Sequence, residues 1–304
     1  MFINMSLKKI WNKITNNQKY QEFKYLKQKE KNIKLFKNKF EEEINQINKK
    51  INKQHKLNFL HSGHAADIIN ILPVIKKLSK DHECNLFINL DKPIKFYYKH
   101  PAGNLFINKK IYEMLLPLLK NQKYLNQIDI YNNNDIDINF DLLRSLPINL
   151  LFDNLTYASV ITGIQPDLGE PYISAGNHEK LKKKIIIQRS FRYRNQFISY
   201  DFLNNYDDLY FVGTQDEFND LKKIVNKLNF YNCRDFLDMA NIVHSSKFVL
   251  ANSSLTFPIA EGLQVPRLLE SCPDFPAAQP HGKNSFNFYF QSHFEEKFRY
   301  LNSL

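Results

Sequence analysis

The chain is poor in the residues that cross-link or loosen a polypeptide. Among 304 residues there are 3 cysteines, 8 glycines and 1 tryptophan. Cys84, Cys233 and Cys272 stand far apart with no paired spacing, which argues against disulfide or cysteine–metal chemistry and for reduced thiols in a cytoplasmic protein. No run of about 18 apolar residues occurs, so no membrane-spanning helix is expected, and the N-terminus lacks the apolar stretch of a secretory signal. Residues 6–54 hold neither proline nor glycine, and residues 1–56 hold no arginine. What is present is a hydrophobic share of 43%, enough to bury a sizeable core in two α/β lobes.

The formal charge of +11 suggests nucleic acid until it is located. Residues 1–56 carry 15 lysines and 5 glutamates, a net of +10. The other 248 residues hold 27 bases and 26 acids, a net of +1. The charge belongs to an arm at 1–56. Within it Leu7, Ile10, Trp11 and Ile14 make one short apolar face. Ile33, Phe36, Phe40, Ile44, Ile47 and Ile51 step by three or four, a heptad-like seam. Two helices are expected, broken near Asn16-Asn17. The seam packs on the body or on another copy with its lysines solvated, or the lysines and Trp11 meet an anionic membrane surface. Nucleic acid is a third partner, disfavoured for sequence-specific readout because lysine lacks arginine's fork.

From Leu57 the pattern alternates strand and helix, which implies parallel sheets with ligands at the carboxyl ends of the strands. The expected fold class is α/β: two Rossmann-like lobes with parallel sheets, preceded by the helical arm. The first lobe covers 57–163, with strands at 58–61, 84–90, 128–131 and 136–140 and helices at 68–78, 111–119 and 150–161. Pro73 fits the first turn of a helix beginning near Asn70. Gly163, Pro166, Gly169, Pro171 and Gly176 mark a linker over 164–180. The second lobe covers 181–289, with strands at 184–188, 209–213, 248–251 and 266–270 and helices at 215–228, 234–244 and 255–263, the last stopped by Gly262. Residues 290–304 form a terminal helix that crosses back to the first lobe. Asn252-Ser253-Ser254 reads as a polar turn capping helix 255–263, which makes an anion site of that N-terminus. Glu261 is placed to bond a sugar hydroxyl. A nucleoside diphosphate ligand follows.

Two segments resemble the GT-B-fold glycosyltransferases, most closely the heptosyltransferase-like branch, glycosyltransferase family 9. Leu60-His-Ser-Gly-His-Ala-Ala-Asp-Ile-Ile-Asn-Ile-Leu-Pro-Val-Ile-Lys-Lys-Leu78 looks like that family's first strand, glycine loop, Gly-Asp and Leu-Pro helix. Phe236 through Ser254 to Pro266 looks like its donor-binding half. The likeness spans about 57–290 and leaves out the arm. Ala66 stands where the family usually has glycine, and Ser254-Leu255-Thr256-Phe257 lacks the family's Gly and His; these departures bear on the donor sugar. The resemblance implies an inverting, metal-independent transfer from a nucleoside-diphosphate sugar, with no cofactor besides that co-substrate.

Such a transfer needs a base for the acceptor hydroxyl and positive charge or N–H dipoles for the leaving diphosphate. Asp67 is the first candidate base, at the position matching the family's catalytic aspartate; the plainer role is an N-cap for a helix beginning near Ile68. His61 and His64 flank the same loop, as base, acceptor contact or simple polar loop residues. Arg189, Arg192 and Arg194 follow the second lobe's first strand and suit phosphate geometry, or form a solvated basic loop. Asn252, Ser253 and Ser254 would cradle the diphosphate, Gly213-Thr214 would approach the base or ribose, and Glu261 the ribose, unless it is an ordinary helix-surface residue. No metal ligand set is expected: Asp135-Ile-Asp137 leads from an asparagine loop into a strand, and His61 and His64 lack a third ligand.

The expected activity is transfer to a surface-polysaccharide or lipid-linked glycan acceptor, with the arm resting on the inner membrane face or joining subunits. Two alternatives remain: a phage-type DNA glycosyltransferase acting on a hydroxymethylated base, against which the near-neutral body argues, and a non-catalytic nucleotide-sugar-binding protein of the same fold.

Overall fold

A computed structural model of the chain describes Trp11, Lys13, Ile14, residues 16–95 and residues 100–304. Leu7 and Ile10 of the expected first apolar face lie outside the described residues. Asn16 breaks the arm as expected, because its side chain accepts the Lys19 N–H (3.0 Å) and starts a new helix. That helix, α1 (Asn17–Leu35), runs into a π-helical stretch, Phe36–Phe40, and then α2 (Glu41–Lys53). The extra residue of the π turn rotates the apolar seam. Phe40 and Ile47 consequently bury in the body core, with Ile44 and Ile51 packed beside them, while Ile33 and Phe36 stay exposed. The seam therefore divides: its second half covers the body, and α1 buries none of its residues.

The first sheet has the order β3-β2-β1-β4, all parallel, from β1 (Lys56–His61), β2 (Glu83–Ile88), β3 (Gln127–Ile130) and the two-residue β4 (Ile138–Asn139). Helices α3 (Ala65–Asn70) and α4 (Leu72–Leu78) follow β1, separated at Ile71 with Pro73 in the first turn of α4. The α5 helix (Lys109–Lys120) leads to β3, and of the expected strand 136–140 only Ile138–Asn139 forms, a 3-10 turn, Phe140–Ser145, beginning at its last residue. The expected helix 150–161 shrinks to a 3-10 turn at Asn154–Thr156 and α6 (Tyr157–Thr162), ended by Gly163 at φ +70.

The second sheet, also all parallel, has the order β10-β9-β8-β5-β6-β7. Its strands are β5 (Ile185–Gln188), β6 (Leu209–Val212), β7 (Asn229–Tyr231), β8 (Phe248–Ala251), β9 (Arg267–Glu270) and β10 (Ser285–Phe288). Ile185, Ile186 and Ile187 are all buried, as helices on both faces require. The β7 and β10 strands escape sequence reading because each is a short edge strand with polar residues. The intervening helices are α7 (Gln215–Lys222), shorter than expected, α8 (Phe236–Ser245) and α9 (Thr256–Leu263).

Two expectations fail here. Gly262 does not stop α9; Gln264, at φ 54, does. Gly262 lies inside the helix, where a Cβ would come within 2.4 Å of Ile173 Cδ1, and its carbonyl accepts the N–H groups of Tyr172 and Ile173 (both 2.8 Å). The glycine thus admits the interlobe segment against the helix. The terminal helix α10 (Gln291–Ser303) does not return to the first lobe. Phe294, Phe298 and Leu301 bury against Ile187, Phe211 and Phe248 of the second sheet, with Phe294 stacked on Phe288 at 4.2 Å.

One apolar core joins the lobes, running from Phe59, Ile68 and Leu72 through Tyr172 and Ile173 to Val249, Phe257 and Ile259. The arm's root belongs to it. Phe40 is 0% exposed and Phe36 39%, so Phe40→Ala is expected to cost about 3–4 kcal/mol as a buried aromatic cavity. Phe36→Ala should change stability by about 0.5 kcal/mol or less. Urea unfolding of the two variants checks the difference.

Candidate active site

In both sheets the strand order reverses beside the first strand of the lobe, since β1 lies between β2 and β4 and β5 between β6 and β8. The loops leaving β1, β5 and β8 therefore open at the carboxyl edges where doubly wound sheets take ligands. Two adjoining cavities fill the space between them. The larger, about 360 Å³, is walled by Lys110, Ile111 and Met114 from the first lobe and by Gly213, Thr214, Cys233, Phe236 and Met239 from the second. The other, about 330 Å³, is walled by Asp67, Asn70 and Tyr157 on one side and Tyr193, Phe257 and Phe275 on the other. His64, Ala66, Phe106, Arg192, Ser253 and Ser254 line both.

Asp141, in the 3-10 turn after β4, organises the first-lobe side. Its carboxylate accepts from Ser62 N–H (3.0 Å), Ser62 Oγ (2.5 Å), Lys92 Nζ (2.7 Å) and Arg144 Nη1 (2.7 Å), and lies 3.2 Å from His61 Nδ1. Burial alone would raise its pKa. The hydrogen bond and charge of His61, with Lys92 and Ser62, overcome that and hold it far below the usual carboxylate range. His61 is thereby committed to the loop's architecture, and its Nδ1 also lies 3.0 Å from the Gly63 nitrogen.

Asp67 is the third residue of α3, and that helix begins at Ala65 rather than near Ile68. Its Oδ2 accepts the His64 N–H (3.0 Å) and lies 3.6 Å from Arg144 Nη2. Both contacts fall on one oxygen, so Oδ1 carries neither. Arg144 is held between Asp141 and Asp67, with its guanidinium 4.5 Å from the centre of the Phe106 ring. His64 Nδ1 lies 2.7 Å from the Phe106 carbonyl, which makes it the protonated nitrogen and places the imidazole lone pair on Nε2. Burial lowers the His64 pKa against the pull of Asp67, and Arg192 pushes the same way as burial. The ring of His100, 4.9 Å away, is pushed down to about 4 by burial, Arg192 and His64. At that value the His100 imidazole is neutral at pH 7.

The three second-lobe arginines separate. Arg189 does not face the cleft. Its Nε and Nη2 donate to Glu270 (2.8 Å each), and Tyr200 Oη (2.8 Å) and the Asn195 N–H (2.7 Å) complete that fully buried carboxylate. Arg194 is turned to Asp220 (2.7 Å) and the Ser190 carbonyl (2.9 Å). Arg192 alone of the three lines the cavities, 5.1 Å over the Tyr193 ring.

Asn252 is fully buried and is a brace rather than a ligand contact. Its Oδ1 accepts from Ser190 N–H (3.1 Å), and its Nδ2 donates to the carbonyls of Ser190 (3.1 Å) and Arg192 (2.7 Å). Nor does the 252–254 turn cap α9: Gln188 Oε1 accepts both the Thr256 N–H (2.9 Å) and its hydroxyl (2.6 Å). Ser253 and Ser254 do face the cavities. Glu261, expected at the ribose, is wholly buried, paired with Arg267 and accepting the His281 N–H (3.2 Å to Oε2). Burial raises its pKa in spite of that pairing. Gly213 and Thr214 lie in the wall of the larger cavity. Thr214 and Glu217 bond each other's backbone as a capping box, and a Cβ on Gly213, at φ +144, would meet Phe211 at 2.9 Å.

No family model matches the chain, and no curated protein does. Solved structures do. A glycosyl transferase family 9 protein from Veillonella parvula superposes with TM-score 0.52 at 10% identity, over 81% of this chain and 90% of that one. The E. coli heptosyltransferase WaaC with ADP-2-deoxy-2-fluoro heptose gives TM-score 0.52 at 8% identity, over 81% of this chain and 99% of that one. The chain has the GT-B fold. The expected fold class holds, and within the GT-B frame the cavities occupy the cleft between the lobes.

Several residues escape sequence reading: Arg144 and Asp141, which pairs with it, and, at the cavity walls, Lys110, Tyr157 and the Tyr193–Phe275 stack (5.4 Å). For the first two a signal exists, since Asp141-Leu-Leu-Arg144 is an i,i+3 charge pair beside a strand end. Among the described residues no group of three or more His, Cys, Asp or Glu side chains is arranged to hold a metal ion; Asp137 instead pairs with Lys50 (3.2 Å) and accepts the Asn58 N–H (2.9 Å).

Two outcomes are expected. Because the folded pKa of Asp141 is depressed, its stability contribution is complete above the unfolded carboxylate value of ~4 and is shed as pH falls below it. Asp141→Asn should lose about 2 kcal/mol at pH 7 and flatten the acid limb of stability, measured by urea midpoints from pH 7 to 3. Arg189→Ala strands the Glu270 carboxylate and should cost about 3–5 kcal/mol in the same assay.

Proposed function

We propose that the chain is an inverting glycosyltransferase that moves a sugar from a nucleoside-diphosphate donor to a hydroxyl of a glycan or lipid-linked acceptor. One observation carries the reading: Arg192 and Ser253-Ser254, held together by Asn252, line the same cavity as Asp67 of the opposite lobe. Inversion needs a base and a leaving-group site on opposite faces of the anomeric carbon, and two lobes supply them from two sides.

In this reading the diphosphate lies against Arg192, whose fork matches phosphate oxygens. The serine hydroxyls and the N-terminal dipole of α9 assist. The nucleoside points into the larger cavity, toward Thr214 and the apolar wall of Phe236 and Met239; with no Cβ on Gly213, its backbone can approach closely. The acceptor enters the second cavity, where Tyr193 and Phe275 offer a stacking wall for a sugar ring. The acceptor oxygen attacks the anomeric carbon as the bond to the diphosphate oxygen breaks and its electron pair leaves with the diphosphate. Asp67 takes the hydroxyl proton. His64, with its lone pair on Nε2, is the second base candidate. The leaving charge is met by a guanidinium, without a resident cofactor or metal, and the proposed site of action is cytoplasmic.

The experiment is calorimetry with ADP, UDP and GDP, followed by transfer assays with the sugar form of whichever binds. Arg192→Ala is expected to weaken nucleotide binding about tenfold or more. Asp67→Asn should leave binding within about twofold and cut turnover about a hundredfold. Full turnover in Asp67→Asn would remove Asp67 as base and leave His64→Gln as the next variant to measure. Failure of every nucleoside diphosphate to bind would sink the transferase reading. Tight donor binding with no hydrolysis or transfer by the wild-type protein would establish the non-catalytic alternative.

A further inference from the structure

The arm's charge and its packing are segregated along its length. Residues 17–40 hold 8 lysines and 2 glutamates, a net of +6, whereas α2 holds 3 lysines and 3 glutamates. The neutral helix is the one that docks: Ile47 is buried, Ile44 and Ile51 pack beside it, and Lys50 pairs with Asp137 and donates to the Ile136 carbonyl (3.1 Å). The charged helix, α1, buries nothing on the body. Nineteen residues at about 1.5 Å each carry it roughly 28 Å.

Its exposed side chains are of two kinds. Tyr25, Leu26, Ile33, Leu35 and Phe36 are apolar or amphipathic, and every other exposed position is polar, most often lysine. Lys24 and Lys27 lie over the rings of Tyr20 and Phe23, so cation and apolar surface are presented together. A segment of net +6 with lysines along its length fits a surface of negative charge, where each basic residue contributes about 1 kcal/mol. A second copy of the same arm fits poorly, because two +6 segments repel. The body offers no acidic excess to receive it either, with a net of +1 over residues 57–304.

We propose that α1 with its π extension is a docking arm for an anionic phospholipid bilayer, attached peripherally. No described helix is long and apolar enough to cross a membrane, so the contact lies along the surface. The α2 helix packs on α6, the helix that begins at Tyr157 in the wall of the second cavity. Val160 on α6 and Ile148 and Leu151 just before it are exposed apolar residues on that same segment. The arm is thus rooted beside the segment that walls the second cavity.

The experiment is sedimentation of the full chain with vesicles of phosphatidylglycerol and phosphatidylcholine, compared with phosphatidylcholine alone. Anionic vesicles are expected to carry the protein down, the partition falling more than tenfold between 50 and 300 mM salt, with neutral vesicles retaining little. A variant with Lys19, Lys24, Lys27, Lys29, Lys31 and Lys34 changed to Gln should lose more than tenfold in partition. Its unfolding midpoint and its nucleoside-diphosphate affinity should stay unchanged, since no residue of α1 is buried. Equal partition of the Gln variant, or no sedimentation of the wild type with anionic vesicles at 50 mM salt, overturns the proposal. So does arm-dependent dimerisation in sedimentation velocity, or arm-dependent binding of duplex DNA, if vesicles are not bound. Because vesicle partition is read without turnover, these results stand apart from the success or failure of the transferase reading.

Discussion

A single buried carboxamide sets the shape of the cleft. Asn252, at the carboxyl end of β8, spends both ends of its amide on the backbone of residues 190–192, at the carboxyl end of β5. These two strands are neighbours in register, Gln188 beside Ala251, so the brace spans the point at which the sheet reverses its order. Buried amides hold geometry because an unmade bond there costs a full desolvation penalty. With the loop fixed from above by Asn252 and from below by the Arg189–Glu270 pair, Arg192 is presented to the cavities and Ser253-Ser254 beside it. The three arginines within six residues thus divide into two that build the loop and one, Arg192, that lines the cavities.

How far the sequence reveals this depends on range. Parallel strands at 56–61, 185–188 and 248–251 are legible because apolar runs buried on two faces leave a continuous signal. The Asn16 break is legible because side-chain capping is local chemistry. The π turn at 36–40 is not: it preserves the spacing of the seam while changing where the seam points. Within the site, Asp67, His64, Arg192, Ser253 and Ser254 are legible because each lies within a few residues past a strand's carboxyl end. The fates of Arg189, Asn252 and Glu261 are not, because each is decided by a partner 81, 62 or 6 residues away. A charged residue at a strand's carboxyl end has two stable uses, ligand contact and internal brace, and its own neighbours in sequence do not separate them. Asp141 illustrates the reverse, an ordinary loop acid in sequence that becomes the centre of five polar contacts in space.

Charge is equally uneven in its use. The near-neutral body places its cations singly, with Arg192, Lys95 and Lys110 at the cavity walls, whereas residues 17–40 set 8 lysines against 2 glutamates. A sum of +11 over the whole chain describes neither part. Residues 1–56 contain no arginine, whereas the cavity walls include one, Arg192.

The shared core has a consequence for how the molecule is inherited and handled. Ile68 and Leu72 of the first lobe, Tyr172 and Ile173 of the connecting segment and Phe257 and Ile259 of the second belong to one continuous apolar body, and the Asn154 N–H reaches across to the Ala277 carbonyl (2.7 Å). A chain cut within residues 164–180 would expose that surface on both fragments, so neither half is a self-sufficient module. Domain shuffling, which lets many two-lobed proteins trade one half for another, is closed to this sequence unless the new half brings a matching apolar face.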